Sequence, residues 1–121
     1  MKVKEEDSHN NTILKCCMGR VLCKLRQDAG ISQLEVKTLT QSTVSRSELG
    51  KTSFTMVSLF ELVGEYKADL SNTMRSIEIK YNLMKFEFAN HSGSLEDLRI
   101  RVNKRLNILL ELIEVIKDEK D

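Results

Sequence analysis

The chain has 121 residues, 40% hydrophobic and 31% charged, with 19 Lys+Arg against 18 Asp+Glu for a net charge of +1. That length suits one domain, or a small domain with an appendage, and the composition permits a packed core but not a large one. The near-neutral balance names no partner, so any nucleic-acid role has to rest on local placement of charge.

There is no proline and there are only five glycines, which favours long uninterrupted helices. Residues 1–11, beginning "MKVKEEDSHN", are polar and unpatterned and are expected to form a disordered tail. A helical pattern begins at Asn11 or Thr12. Leu14, Met18, Val21, Leu22 and Leu25 recur at helical spacing as one apolar stripe, and Gly30 supplies the stop. Ser32 with Glu35 three residues on forms a capping box, predicting a short helix over "SQLEVKTL". Ser42 is an N-cap candidate for the next helix, "TVSRSEL", which Gly50 ends. Thr55 caps a fourth, "MVSLFELVGEY", with Met56, Leu59, Phe60, Leu62 and Val63 as its apolar face. Residues 12–69 therefore read as four short helices on one small core.

The remainder, 70–121, has a different pattern. Leu70, Met74, Ile77, Tyr81, Met84 and Phe88 step alternately by four and three, a heptad seam on one helix. Asn90–Ser94 is a turn. Ser94 with Asp97 opens the last helix, whose seam is Leu95, Leu98, Val102, Leu106, Leu109, Ile113 and Ile116. The two helices are expected to fold back as a matched hairpin. Between Leu106 and Ile116 the last helix is apolar on most sides, so it needs further neighbours. Either a second copy of the chain or the chain's own four-helix unit would supply them. The first choice makes Val102, Leu106, Leu109, Ile113 and Ile116 dimerisation residues.

Other classes of chemistry find little support. Cys16, Cys17 and Cys23 crowd one segment without a CxxC pair, and His9 and His91 lie far off in sequence, so no metal site is expected. The thiols read as reduced cysteines on a helix of a cytoplasmic protein. No signal peptide or membrane span is visible, since the Leu106–Ile116 run is short and contains Glu111 and Glu114. No nucleophile–base pairing and no Gly-rich phosphate loop appears, so neither an enzyme nor a cofactor is expected.

The stretches "GRVLCKLRQDAGISQ" and "QSTVSRSELGK" carry a resemblance. Gly19, Leu22, Leu25, Arg26, Gly30, Ser32 and Gln33, then Ser42, Val44, Ser45, Glu48, Gly50 and Lys51, then Leu59, Leu62, Asp69 and Leu70, follow one pattern. It resembles the helix-turn-helix domain of phage repressor and Cro-type regulators, the XRE family, over about half the chain. The resemblance implies an all-α, lambda-repressor-like domain followed by the C-terminal helical hairpin. It also implies double-stranded DNA as the partner, with the second motif helix in the major groove. Carried over by position, Gln41, Ser42, Thr43 and Arg46 face base edges, where Gln suits adenine and Arg suits guanine. Ser32, Gln33, Lys37 and Lys51 fall at phosphate-contacting positions. Arg26 and Glu48 are implied to form a structural ion pair.

One departure stands out. Only 16 steps separate Ser32 from Glu48, a few fewer than the family usually has. Lys37 stands near the usual alanine position, and "TLTQ" replaces the glycine-type turn. Either the first motif helix is cut by nearly a turn, or the tight turn is remodelled. The implied function is a sequence-specific transcriptional regulator, a repressor acting as a homodimer on an inverted repeat. The alternative is a protein-interaction module that heterodimerises through its C-terminal helices, with a degenerate helix-turn-helix. The "RIRVNKR" cluster (Arg99, Arg101, Lys104, Arg105) reads as a solvated face.

Overall fold

The structure, a computed structural model, describes residues 2–120, with side chains from residue 7 to residue 118. Among the described residues it is all-α, with no strand. The helices are α1 (Lys2–Asp28), α2 (Gln41–Glu48), α3 (Met56–Glu65), α4 (Leu70–Glu87) and α5 (Leu95–Lys120), with a single 3-10 turn at Gln33–Glu35 between α1 and α2.

Several boundaries follow from local chemistry. Gly30 ends α1 at φ 73°, its N–H reaching the Gln27 carbonyl while the Ile31 N–H reaches Arg26. Gly50 closes α2 in the same way, with Gly50 N–H on Ser47 and Lys51 N–H on Arg46. The Thr55 hydroxyl caps α3 by accepting the Ser58 N–H at 3.0 Å, and Ser94 caps α5 by accepting the Asp97 N–H at 3.0 Å.

Two cores share α1. In one, Ile13, Cys16, Cys17 and Val21 of α1 meet Ile77 and Met84 of α4 and Leu98, Val102 and Leu106 of α5. In the other, Leu22 meets Val36, Val44, Phe54, Leu59, Leu62, Val63 and Tyr66. Met18 and Leu25 pack against both. Apart from α1, which contributes to both, the two cores draw on different stretches, residues 36–66 in one and α4 with α5 in the other.

Four expectations are corrected. First, the segment read as a disordered tail is helical from Lys2, although the side chains of residues 1–6 lie outside those described. The reason is tertiary: the His9 ring stacks on His91 of the α4–α5 turn, with centroids 5.8 Å apart. Second, the helix expected over "SQLEVKTL" is one 3-10 turn. Its capping box is intact, with Ser32 Oγ accepting the Glu35 N–H and Glu35 Oε1 accepting the Ser32 N–H at 2.9 Å. Beyond it, Val36 turns extended and buries itself, and the N–H groups of Lys37 and Thr38 go to the Glu65 carboxylate at 2.7 and 3.0 Å. Third, Thr40 rather than Ser42 is the N-cap of α2, accepting from the Thr43 N–H, so Ser42 lies inside the first turn. Fourth, the two C-terminal helices are unequal, about 27 and 39 Å at 1.5 Å per residue, and each lies along α1. α5 runs parallel to α1: Cys16 lies by Arg99, Arg20 by Asn107 and Lys24 by Glu114.

Candidate nucleic-acid interface

The outward side of α2 carries Gln41, Ser42, Thr43 and Arg46, all exposed, while Val44, Ser47 and Glu48 are buried beneath them. The helix is short and polar because only its inner side packs. Thr40 Oγ1 lies 2.8 Å from Thr43 Oγ1, so the first-turn hydroxyls form a small network at the N-terminal end. Among the described residues Arg46, Lys37 and Lys51 enter no ion pair, and all three are exposed.

Beneath α2 lies a buried ion pair. Arg26 Nε donates to Glu48 Oε2 at 2.7 Å, and Arg26 Nη2 donates to Glu48 Oε1 at 3.0 Å. Arg26 Nη1 donates to the Ile31 carbonyl at 2.8 Å. Both residues are almost wholly buried, at 8% and 2% exposure. The hydrogen-bonded Glu48 carboxylate raises the Arg26 pKa above its ordinary value, against a smaller opposing effect of burial. The nearby Tyr66 phenol is pushed upward too, by burial first and then by the Glu48 charge.

The residues assigned to phosphate contact do not all behave alike. Ser32, Lys37 and Lys51 are exposed around α2 and its approaches. Gln33 is only half exposed, and its Nε2 donates to Glu48 Oε1 at 2.8 Å. Its side chain therefore supports the ion pair. Lys51 sits close enough to Glu96 of α5 to help lower that carboxyl's pKa, behind the stronger effect of Arg99.

The C-terminal end of α2 is held from two directions. Gly19 lets α1 approach closely: a Cβ there would stand 2.6 Å from both the Ser47 and Glu48 carbonyl oxygens. Arg20 donates from Nε at 3.2 Å and Nη2 at 2.5 Å to the Glu48 carbonyl. From α5, Arg99 Nη1 and Asn103 Nδ2 both donate to the Leu49 carbonyl at 2.9 Å. The reading of the Arg99 cluster as a solvated face missed this contact. The signal was present, since Arg99, Asn103 and Asn107 recur every fourth residue beside the buried stripe Leu98, Val102 and Leu106.

The residues assigned to dimerisation also divide. Val102 and Leu106 are fully buried inside the chain, so neither is open to a second copy. Leu109 packs partly against the same core, while Ile113 and Ile116 are 41% and 54% exposed. The thiols are packing groups: burial pushes Cys16 up to about 11 and Cys17 up to about 12, and Cys23 is raised by the same cause. No helix among the described residues is long and apolar enough to cross a membrane. No family model matches this chain, and neither a curated protein nor a solved structure matches it.

Proposed function

We propose that the chain is a sequence-specific DNA-binding transcriptional regulator, a repressor that works as a homodimer and enters the major groove with α2. The observation that carries the reading is the two-sidedness of α2. Its inner side is fixed by the buried Arg26–Glu48 pair, and its outer side offers Gln41, Ser42, Thr43 and an unpaired Arg46 to solvent. An α-helix with its side chains is about 10–12 Å across, which fits the major-groove width of about 12 Å. Exposed Lys37, Lys51 and Ser32 flank it as phosphate contacts. In this reading the chain binds and does no chemistry of its own.

The test is selection of duplexes from a randomised pool, followed by affinity measurements across salt. The wild type should enrich one motif and lose affinity steeply as salt rises, because bound phosphates release counterions. Arg46→Ala should lose about 1–3 kcal/mol on the selected duplex and little on random duplex. Equal losses on both duplexes would remove base reading from Arg46. A wild type that enriches nothing would overturn the proposal.

A second reading has one observation in its favour. Ile108, Leu112, Ile113, Val115 and Ile116 leave the last turns of α5 apolar and exposed. A protein that captures another regulator through this end of α5, with α2 idle, would bind its partner without enriching any duplex.

A further inference from the structure

The end of α2 nearest the protein is tied to α5, fifty residues further along the chain. We propose that α5 is a working part of the DNA-reading unit, with Arg99 and Asn103 as positioning residues that set the angle of α2. The inference rests on the reading of α2 as the groove-entering helix.

The contact is built as a clamp. Arg99 Nε lies 3.0 Å from Glu96 Oε2 and Nη2 lies 2.5 Å from Glu96 Oε1, so the guanidinium is fixed in its own plane. That leaves Nη1 aimed at the Leu49 carbonyl, and the Arg99 side chain is only 13% exposed. Asn103, one turn on, gives its Nδ2 to the same carbonyl, while its own Oδ1 is buried with no partner among the described residues. A buried amide oxygen left unsatisfied is uncommon, and here it accompanies a donor committed to Leu49. One turn further, Asn107 Oδ1 accepts from Arg20 Nη1 at 3.4 Å, and Arg20 holds the Glu48 carbonyl. Three successive turns of α5 thus address the end of one short helix. A merely solvated face would not converge on two carbonyls.

The consequence is geometric. A helix of two turns has little stability of its own, so its direction is set by whatever grips its ends. A tilt of about 10° at the clamped end of a rod of roughly 12 Å displaces the far end by about 2 Å. That displacement carries Gln41 and Ser42 out of hydrogen-bond range of base edges, whereas phosphate contacts tolerate it better.

The test uses the full chain carrying Arg99→Gln with Asn103→Ala, and separately Arg99→Lys and Asn103→Ala. Two quantities are measured: amide hydrogen exchange across α2 without DNA, and affinity for the selected and random duplexes. In the double variant, exchange at Val44–Leu49 should quicken about ten-fold with α3 unchanged, the scale expected when the carbonyl that ends the helix loses two donors. Affinity for the selected duplex should fall about ten-fold, and affinity for random duplex by less than about two-fold. Arg99→Lys, which keeps Asn103 but cannot hold Glu96 and the Leu49 carbonyl in one rigid fork, should fall between the wild type and the double variant in both. Unchanged exchange across α2 in the double variant overturns the clamp. If the double variant loses its helical circular dichroism, the folded Asn103→Ala chain decides: faster α2 exchange supports the clamp, and wild-type exchange overturns it. A wild type that prefers no duplex removes the DNA reading alone, and the exchange measurement still decides the clamp.

Discussion

Glu48 accepts from three donors at once, two on Arg26 and one on Gln33, at 2% exposure. Removing it strands a buried guanidinium, which is far costlier than never having had the pair. Glu48→Ala should therefore cost about 3–5 kcal/mol in urea unfolding. Replacing both partners, as Arg26→Met with Glu48→Leu, should recover most of that loss, because no charge is then left alone. A Glu48→Ala chain as stable as the wild type would show that the pair is solvated in practice. At this scale much could be read in the sequence. The spacing of Arg26 and Glu48 sat inside a recognisable pattern, and the side chains do meet. Gln33 shows the limit: whether an amide turns outward to a phosphate or inward to a carboxylate depends on a neighbour fifteen residues away.

Helix starts and stops were legible at Ser32, Thr55, Ser94, Gly30 and Gly50, where a residue's own local chemistry marks the boundary, though at α2 two hydroxyl residues two apart competed and Thr40, not Ser42, took the cap. They were illegible wherever a distant group intervenes. The segment after Glu35 had the composition of a helix, but Glu65 of α3 takes the N–H groups of Lys37 and Thr38 and the Thr38 hydroxyl at 2.7 Å. Burial raises the Glu65 pKa, and these hydrogen bonds outweigh it, so the carboxyl sits below its ordinary value of 4.5. A folded-state pKa below the unfolded one gives stability that is present above the unfolded value and lost as pH falls through the folded one. Acidification from pH 6 to below about 4.5 should therefore quicken amide exchange at Lys37 and Thr38, after correction for intrinsic rates, ahead of α1. Glu65→Gln should show that faster exchange already at pH 6 and little further pH dependence. A Glu65→Gln chain that keeps the wild-type acid response would place the titrating group elsewhere.

Across the whole molecule, the heptad stripes were sound evidence for buried seams and weaker evidence for what buries them. Ile77 and Met84 of the α4 stripe and Leu98, Val102 and Leu106 of the α5 stripe are buried, while Met74 and Leu95 are exposed; the surface that the buried ones meet is α1, whose Cys16, Cys17 and Val21 complete the core. Periodicity fixes which side of a helix is apolar; the identity of the neighbour lies in the topology. The same limit shapes the proposed homodimer. Val102 and Leu106 are used within the chain, but the stripe continues at Leu109, Ile113 and Ile116. Leu110 lines a groove with Asn72 and Thr73 in the first turn of α4, so beyond that level α4 no longer covers α5. Ile113 and Ile116 are exposed there, and Ile108, Leu112 and Val115 widen the apolar surface. A second copy pairing along these turns would cover both edges at once, and a symmetric interface of this kind is the commonest homodimer arrangement. Paired turns of one helix fall short of the roughly 800 Å² per partner of a standard interface, so a weak, concentration-dependent dimer is expected. Ile113→Glu with Ile116→Glu should leave helical content unchanged, since both side chains are solvent-facing in the single chain, and should abolish the dimer in sedimentation equilibrium. Loss of the dimer should also weaken binding to an inverted repeat far more than to a single half-site, because only the paired chain gains from linked half-sites. A double variant that still sediments as a dimer would move the interface off this end of α5, and a wild type that stays monomeric at every concentration would remove the homodimer from the proposal.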